Sequence, residues 1–475
     1  MRSSKRRRWV VAFMLMLAPL RVWADSQPTI DVEGAVALAL KNNLGIKTEQ
    51  LKLEDKALVR DTAWNLFIPS VTASASMSRL NAASQIGAGL IPNLTDPIGP
   101  NVYGSVIATP PFDLPQWGVG VRLSAQLTVS PQMLYGIRQT VLDYEAGVTS
   151  LEMARESIER SVRQGFYNLL LLQRSIALQK NAIATAAERL AQTKQNYQNG
   201  LVDEYTYLSA QVALANQKPV LDELQSGYDT AIMAFDQSIG LDVTVTPALS
   251  GTIQAEPISV AAKDADRLIA VYLDGRYDLR SLHQSIGQLE NLIKVSESSF
   301  YPTLTFGYSA DPTFLGDPLK DAWFADIKND WKQMSGMFFV TFGLRIDPLL
   351  PASQTRVQIA KYRSQLQQTQ NALAQAREGA MIEVRKNVAT IERTKNTLEV
   401  KKMNVELAQR ALGLAETGYR AGTRDLLDVR SAEQDLQRAQ VDELSDEYTY
   451  TVGLLDLEAA LNTSIERIKE TINGN

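Results

Sequence analysis

The sequence predicts a mixed α and β membrane protein, built as two copies of a helix–strand–strand–helix unit. Three observations carry that fold class. The stretch YQNGLVDEYTYLSAQVAL, Tyr197 to Leu214, returns 222 positions later as YRAGTRDLLDVRSAEQDL, Tyr419 to Leu436. Tyr197/Tyr419, Gly200/Gly422, Asp203/Asp425, Ser209/Ser431, Ala210/Ala432 and Leu214/Leu436 are identical, and a fixed period of this kind marks a duplication. In each half a helical period gives way, at a proline, to strict alternation of apolar and polar residues. Finally, no stretch after Ala24 offers the roughly 20 consecutive apolar residues of a spanning helix.

The chain opens with Arg2, Lys5, Arg6, Arg7 and Arg8 before an apolar run from Trp9 to Leu20 and small residues ending at Ala24. This is the pattern of a secretory signal peptide over residues 1–24, with cleavage expected after Ala24. The first repeat is expected over 25–241, a linker over 242–262, and the second repeat over 263–475. Without residues 1–24 the chain holds 42 basic and 53 acidic residues, a net charge near −11, which argues against nucleic acid as a partner.

Each repeat opens with a helical stretch, Thr29 to Leu66 in the first, that runs into Pro69 or Pro302. Proline lacks an N–H and biases its predecessor to extended geometry, so the helices should stop there. Val71, Ala73, Ala75 and Met77 then alternate with threonine and serine, and Trp117 to Val129 repeats the alternation. The second half places Leu304, Phe306 and Tyr308 on one strand and Phe338, Val340, Phe342, Leu344 and Ile346 on another. The intervening residues 81–116 and 311–334 are read as outward loops; the first carries Gly87, Gly89, Pro92, Asn93, Pro97, Gly99 and Pro100.

Pro131 and Pro348 end the second strand of each pair, and long helices follow over Gln132 to Asn199 and Ala352 to Ala421. Either is about 100 Å long at 1.5 Å per residue. Val162, Phe166 and Leu169 of the first match Val384, Val388 and Ile391 of the second. Gly200 and Gly422 stand where a helix C-terminus takes glycine, and returning helices span Asp203 to Ile239 and Asp425 to Leu461. The first and returning helices together nearly equal the long one, so two short helices stacked end to end fit beside each long helix.

Chemistry-bearing residues are sparse. The chain has no cysteine and one histidine, His283, and no phosphate loop, HExxH or GxSxG motif. No catalytic residue, metal site or cofactor is expected. Four strands cannot close a barrel, and an open sheet with one apolar face leaves edges that neither water nor lipid tolerates. Lipid is the natural partner for that face, and a secreted chain of alternating strands points to the outer membrane of a Gram-negative cell.

Duplicated helix–strand–strand–helix halves, prolines at the helix–strand junctions and Y-x-x-G…D turns resemble the outer-membrane factors, the TolC-type channels of efflux pumps and type I secretion systems. The resemblance covers essentially the whole chain after residue 24, and YRAGTRDLLDV, Tyr419 to Val429, is its closest local match. It implies a homotrimer whose four strands per chain contribute to a 12-stranded outer-membrane β-barrel. Long α-helical hairpins would continue it as a trimeric α-barrel tunnel across the periplasm, meeting a periplasmic adaptor (a membrane fusion protein) and an inner-membrane transporter. The two repeated turns would ring the periplasmic aperture. There Asp428 would present a carboxylate to the pore, and Tyr419 and Arg424 would occupy tethering positions. This sequence departs from the family in two places: Ser431 stands where a second acid is usual, and Thr206 where the first turn has its tether acid. Asp203 or Glu204 is the replacement expected to pair with Arg424.

Two other readings remain. A periplasmic helical-hairpin adaptor or scaffold without a pore would cover the apolar sheet face with its own helices. An enzyme would use Asp425 and Asp428 as an acid/base pair, but no nucleophile, metal set or binding loop accompanies them.

Overall fold

The computed structural model describes residues 29–79, 85–86, 90–92, 106–108, 112–113, 117–241, 248–253, 258, 260–310, 313–315 and 336–474. The expected signal peptide lies outside them, as does much of 81–116, of 311–334 and of the 242–262 linker.

The elements follow the duplicated order. β1 (Thr29–Ile30), α1 (Val32–Asn42), α2 (Leu44–Asp61), β2 (Ser70–Arg79), β3 (Gln85–Ile86), β4 (Leu90–Pro92), β5 (Val106–Ala108), β6 (Phe112–Asp113), β7 (Trp117–Val129), α3 (Pro131–Gln198) and α4 (Glu204–Ile239) form the first half. β8 (Ala248–Leu249) lies in the linker. α5 (Ala265–Tyr272), α6 (Tyr277–Glu297), β9 (Thr303–Ala310), β10 (Thr313–Leu315), β11 (Gly336–Gly343), α7 (Gln354–Arg420), α8 (Leu426–Leu461) and α9 (Ile465–Asn473) form the second.

Several boundaries correct the sequence reading. The stretch Thr29 to Leu66 is not one helix: it is β1, α1 and α2, followed by a 3-10 turn at Ala63–Phe67. The break falls at Asn43, whose ψ of 127° leaves the helical region and whose Nδ2 donates to Ser238 O at 2.8 Å. The Asn43 N–H still donates to Ala39 O, and the side-chain bond ties the end of α1 to the end of α4 where the chain leaves the helix. Pro131 is the first residue of α3, where its missing N–H costs nothing, so the helix begins one residue before Gln132, while the strand ends at Val129 as read. β11 ends at Gly343, and Leu344 and Ile346 lie beyond it. Within 81–116 the chain is not all loop, because β3 pairs with β6 and β4 with β5, both antiparallel. α9 was not anticipated at all.

Contacts divide the chain into two compact units. The first comprises Met1–Leu44, Ser157–Ser259 and Thr390–Asp456; the second comprises Gly45–Glu156, Val260–Ala389 and Leu457–Asn475.

In the first unit Val162, Phe166 and Leu169 of α3 are fully buried with Ala35, Val36 and Ala39 of α1 and Ile232, Phe235 and Ile239 of α4. β1 pairs parallel with β8, bringing part of the linker to this core, where Ile253 is also buried. Gly240 caps α4 with φ of 72°, and a Cβ there would lie 2.7 Å from Asn42 Cβ, so the C-terminal ends of α1 and α4 meet. The matched residues of the second half, Val384, Val388 and Ile391, are buried to the same degree.

In the second unit the main sheet runs β2–β7–β9–β11, antiparallel throughout, with β10 continuing the β9 edge of β7. Register decides its chemistry. Val71 pairs with Ala125, Ala125 with Tyr308, and Tyr308 with Phe338, an apolar row across all four strands. Leu127, Phe306 and Val340 make another, and Val129, Leu304 and Phe342 a third. The alternate residues make polar rows, in which Thr72 bonds Ser124 at 2.7 Å and Thr128 bonds Thr305 at 3.0 Å. Val71, Met77, Phe338, Val340 and Phe342 are all more than half exposed on the apolar face, which no helix among the described residues covers. Among the described residues, the outer edges of β2 and β11 have no strand partner.

Helices elsewhere in this unit are tied by polar side chains. Asn291 of α6 donates to Tyr135 O and Gln139 Oε1 of α3, both at 2.9 Å. Arg276 bonds Asp278, Glu383 and the carbonyl of Ala460, and these partners hold its guanidinium charged against the cost of burial. α9 docks on α5 through Tyr272 Oη and Thr471 Oγ1 at 2.7 Å.

Candidate functional site

The repeated stretch forms the two helical turns of the first unit, and its backbone repeats as faithfully as its sequence. In the first turn Gly200 takes φ of 73°, Gly200 N donates to Tyr197 O, and Leu201 N donates to Asn196 O. In the second Gly422 takes φ of 72°, Gly422 N donates to Tyr419 O, and Thr423 N donates to Gly418 O. Every partner is displaced by 222 residues. These are glycine-capped helix ends, and the left-handed φ is why glycine recurs.

The turns differ in side chains. In the first, Asp203 caps α4 by accepting bonds from the hydroxyl and the N–H of Thr206. Those two bonds, the hydroxyl's first, hold the Asp203 carboxyl below the usual carboxylate range. Thr206 therefore serves as the partner of the cap. Glu204 opens the first turn of α4, and Tyr197 and Tyr207 stack across the hairpin at 5.5 Å with rings nearly parallel. In the second turn Arg424 lays its methylenes against Gly418, 3.0 Å from where a Cβ would stand. Val429 is fully buried while its neighbour Asp428 is exposed, so the helix anchors on one and presents the other. Tyr419 accepts the Gly422 N–H through its carbonyl.

Tyr419, Arg424 and Asp428 thus share one turn, and Asp203 and Glu204 the other. Within the chain, the described residues form no ion pair between Arg424 and either Asp203 or Glu204. Other residues join the hairpins instead. Arg430 Nη1 donates to Ser209 Oγ at 2.9 Å. Arg189 of α3 bridges Glu416 of α7 at 2.6 Å and Glu433 of α8 at 3.0 Å. Farther from the turns, buried Gln179 donates to Gln217 O and Oε1 and accepts from Gln437. A cavity of about 270 Å³ opens between these layers, lined by Leu178, Thr185, Leu412, Arg430, Glu433 and Gln437 among others. Sequence reasoning passed over Arg189, which no local pattern separates from Lys180 or Lys194.

A family model described as "Outer membrane efflux protein" matches residues 35–241 and 268–463, one segment in each half. "Outer membrane protein TolC" of Escherichia coli is 24% identical over 308 residues, covering 62% of this chain and 59% of that one, so the chain spans about three-fifths of that relative's length. Among solved structures, the CmeC outer membrane channel of Campylobacter jejuni superposes with a TM-score of 0.71 at 18% identity, over 93% of this chain and 89% of that chain. The outer membrane protein VceC of Vibrio cholerae superposes with a TM-score of 0.68 at 14% identity, over 91% and 96%.

Proposed function

Since this chain belongs to the outer membrane efflux protein family, we propose that it is the exit duct of a tripartite efflux pump or of a type I secretion system, passing substrates from a periplasmic pump assembly to the exterior. The observation that supports this best is the sheet with one apolar face and two free edges. Four strands with open edges are unstable in lipid, whereas twelve strands fall within the range of closed membrane barrels. Three copies, each pairing the free edge of β2 with the free edge of a neighbour's β11, close such a barrel and put the apolar rows toward lipid.

On this reading α3 and α7, each about 100 Å long, carry the conduit through the periplasm, and the two repeated turns of each copy ring its entrance. Three Asp428 carboxylates concentrate cations in the aperture. Arg424 reaches Asp203 or Glu204 of a neighbouring subunit and, with Tyr419, holds the entrance closed. A periplasmic adaptor and an inner-membrane transporter complete the assembly and select the cargo.

The test is electrophoretic and electrical. The unheated protein should migrate as a trimer that boiling converts to monomer, and it should conduct in planar bilayers. A protein that stays in the periplasmic fraction, with neither property, is a scaffold and not a duct.

A further inference from the structure

The main sheet of the second unit has two unlike ends. At the near end β2, β7, β9 and β11 join the helices, and Trp64, Phe67 and Tyr301 are exposed beside those junctions. On this side Arg60 pairs with Asp61 at 2.8 Å, and Arg345, just past β11, pairs with Asp347 at 3.0 Å. Each of these arginines has its own acid, so the pairs add no net charge.

The far end differs. Among the described residues of the main sheet, Arg79 and Arg122 carry the charge. Arg122 stands opposite Ser74, in a polar row. Arg79 stands opposite Trp117, two residues on from the Met77–Val119 pair, so it lies on the apolar face and is the one described charge there. Its guanidinium sits over the Trp117 ring, 5.3 Å from the centroid, and no carboxylate among the described residues pairs with it. An aromatic face holds a cation in place without cancelling its charge. Arg79 is exposed and Trp117 half-buried, so the held charge is open to a ligand.

Depth says which ligand that is. β7 carries the apolar face along 13 residues, from Val129 at the near end to Trp117 at the far one. At ~3.3 Å per residue this is ~40 Å of strand. The ~35–45° tilt of membrane barrels turns that length into a height of about 30 Å. A hydrocarbon core is about 30 Å thick. With the near end at one boundary of the hydrocarbon, Arg79 and Trp117 emerge at the other, among the headgroups.

We propose that Arg79, held by Trp117, binds the phosphate of an anionic lipid in the leaflet away from the helices. The assignment rests on the barrel reading above, and three copies make three such sites. The fork of guanidinium N–H groups matches two phosphate oxygens, and the indole packs on the apolar part of the same lipid. The balanced pairs at the near end give the other leaflet no such preference.

The protein, purified in neutral detergent, is titrated with an equimolar mixture of phosphatidylglycerol and phosphatidylcholine, and native mass spectrometry weighs the lipids it retains. The parent should favour phosphatidylglycerol by about fivefold, the discrimination that one arginine gives near an anionic surface. Arg79→Gln should bring the ratio close to one, and Arg345→Gln should leave it as in the parent. Equal ratios in the parent and Arg79→Gln overturn the proposal, as does an equal loss in Arg345→Gln. Displacement of the lipid by inorganic phosphate also overturns it, because the site would then take free phosphate. Light scattering comes first: a parent that is not trimeric overturns the barrel reading instead.

Discussion

Arg430 of α8 donates a hydrogen bond to Ser209 of α4 at 2.9 Å, so the two helical hairpins are joined within one chain close to their turns. A charged donor on a half-buried hydroxyl is worth about 1 kcal/mol. Arg430→Ala and Ser209→Ala should each destabilise the hairpins by about that amount. Together they should cost little more than either alone, because one bond accounts for both losses. Hydrogen exchange at residues 196–210 and 418–432 measures this; additive effects would show that the bond carries no coupling.

Arg189 holds two carboxylates at once, with its side chain only 19% exposed. Removing it leaves Glu416 and Glu433 near each other without their shared cation. Arg189→Met should lower stability at pH 7 by about 2 kcal/mol, less than a fully buried pair because water reaches all three groups. The denaturation midpoint at pH 7 checks this.

Asp236 is 1% exposed in the apolar core of the first unit, and its Oδ1 has no hydrogen-bond partner. Its counterpart 222 positions on, Glu458, instead accepts the Ile465 N–H at 2.6 Å. Burial raises the Asp236 pKa, since the charged form is the one desolvation penalises. The folded state therefore binds this proton more tightly than the unfolded chain. The associated stability is present in full below the unfolded pKa and is lost as pH rises through the folded value. Asp236→Asn should raise stability at pH 7.5 by about 1–3 kcal/mol and flatten its decline above pH 4. A variant that tracks the parent across that range would show that the carboxyl titrates normally.

Phe339 covers Gly307 on the polar face of the sheet, its Cζ 2.1 Å from where a glycine Cβ would stand. Gly307→Ala must displace the ring, an overpacking cost of about 1–3 kcal/mol. The proposed trimer's band should melt at lower temperature, and adding Phe339→Ala should restore it. Failure of the second change to rescue the first would place the strain elsewhere.

At the proposed entrance, Arg424→Ser should raise single-channel conductance and Asp428→Ala should lower cation selectivity. Both variants should remain trimeric. If they conduct as the parent does, the second turn does not form the aperture.

Periodicity determined much of this protein without a structure. The alternation of β2, β7 and β9 was legible because a sheet with one apolar side must repeat every second residue. The long helices and their glycine caps were legible because Gly200 and Gly422 answer a local backbone demand. The core residues Phe166 and Val388 followed from matching the two halves. Tertiary structure alone decided the break at Asn43, whose side-chain amide bonds Ser238 O while its N–H keeps its bond to Ala39 O, and the docking of α9 through Tyr272 and Thr471. It alone paired Arg189 with Glu416 and Glu433, residues 227 and 244 positions away. Local preference is written in neighbouring residues, and a period exposes it. Which distant charges and amides meet depends on helix rotation and register, to which many residues contribute a little each.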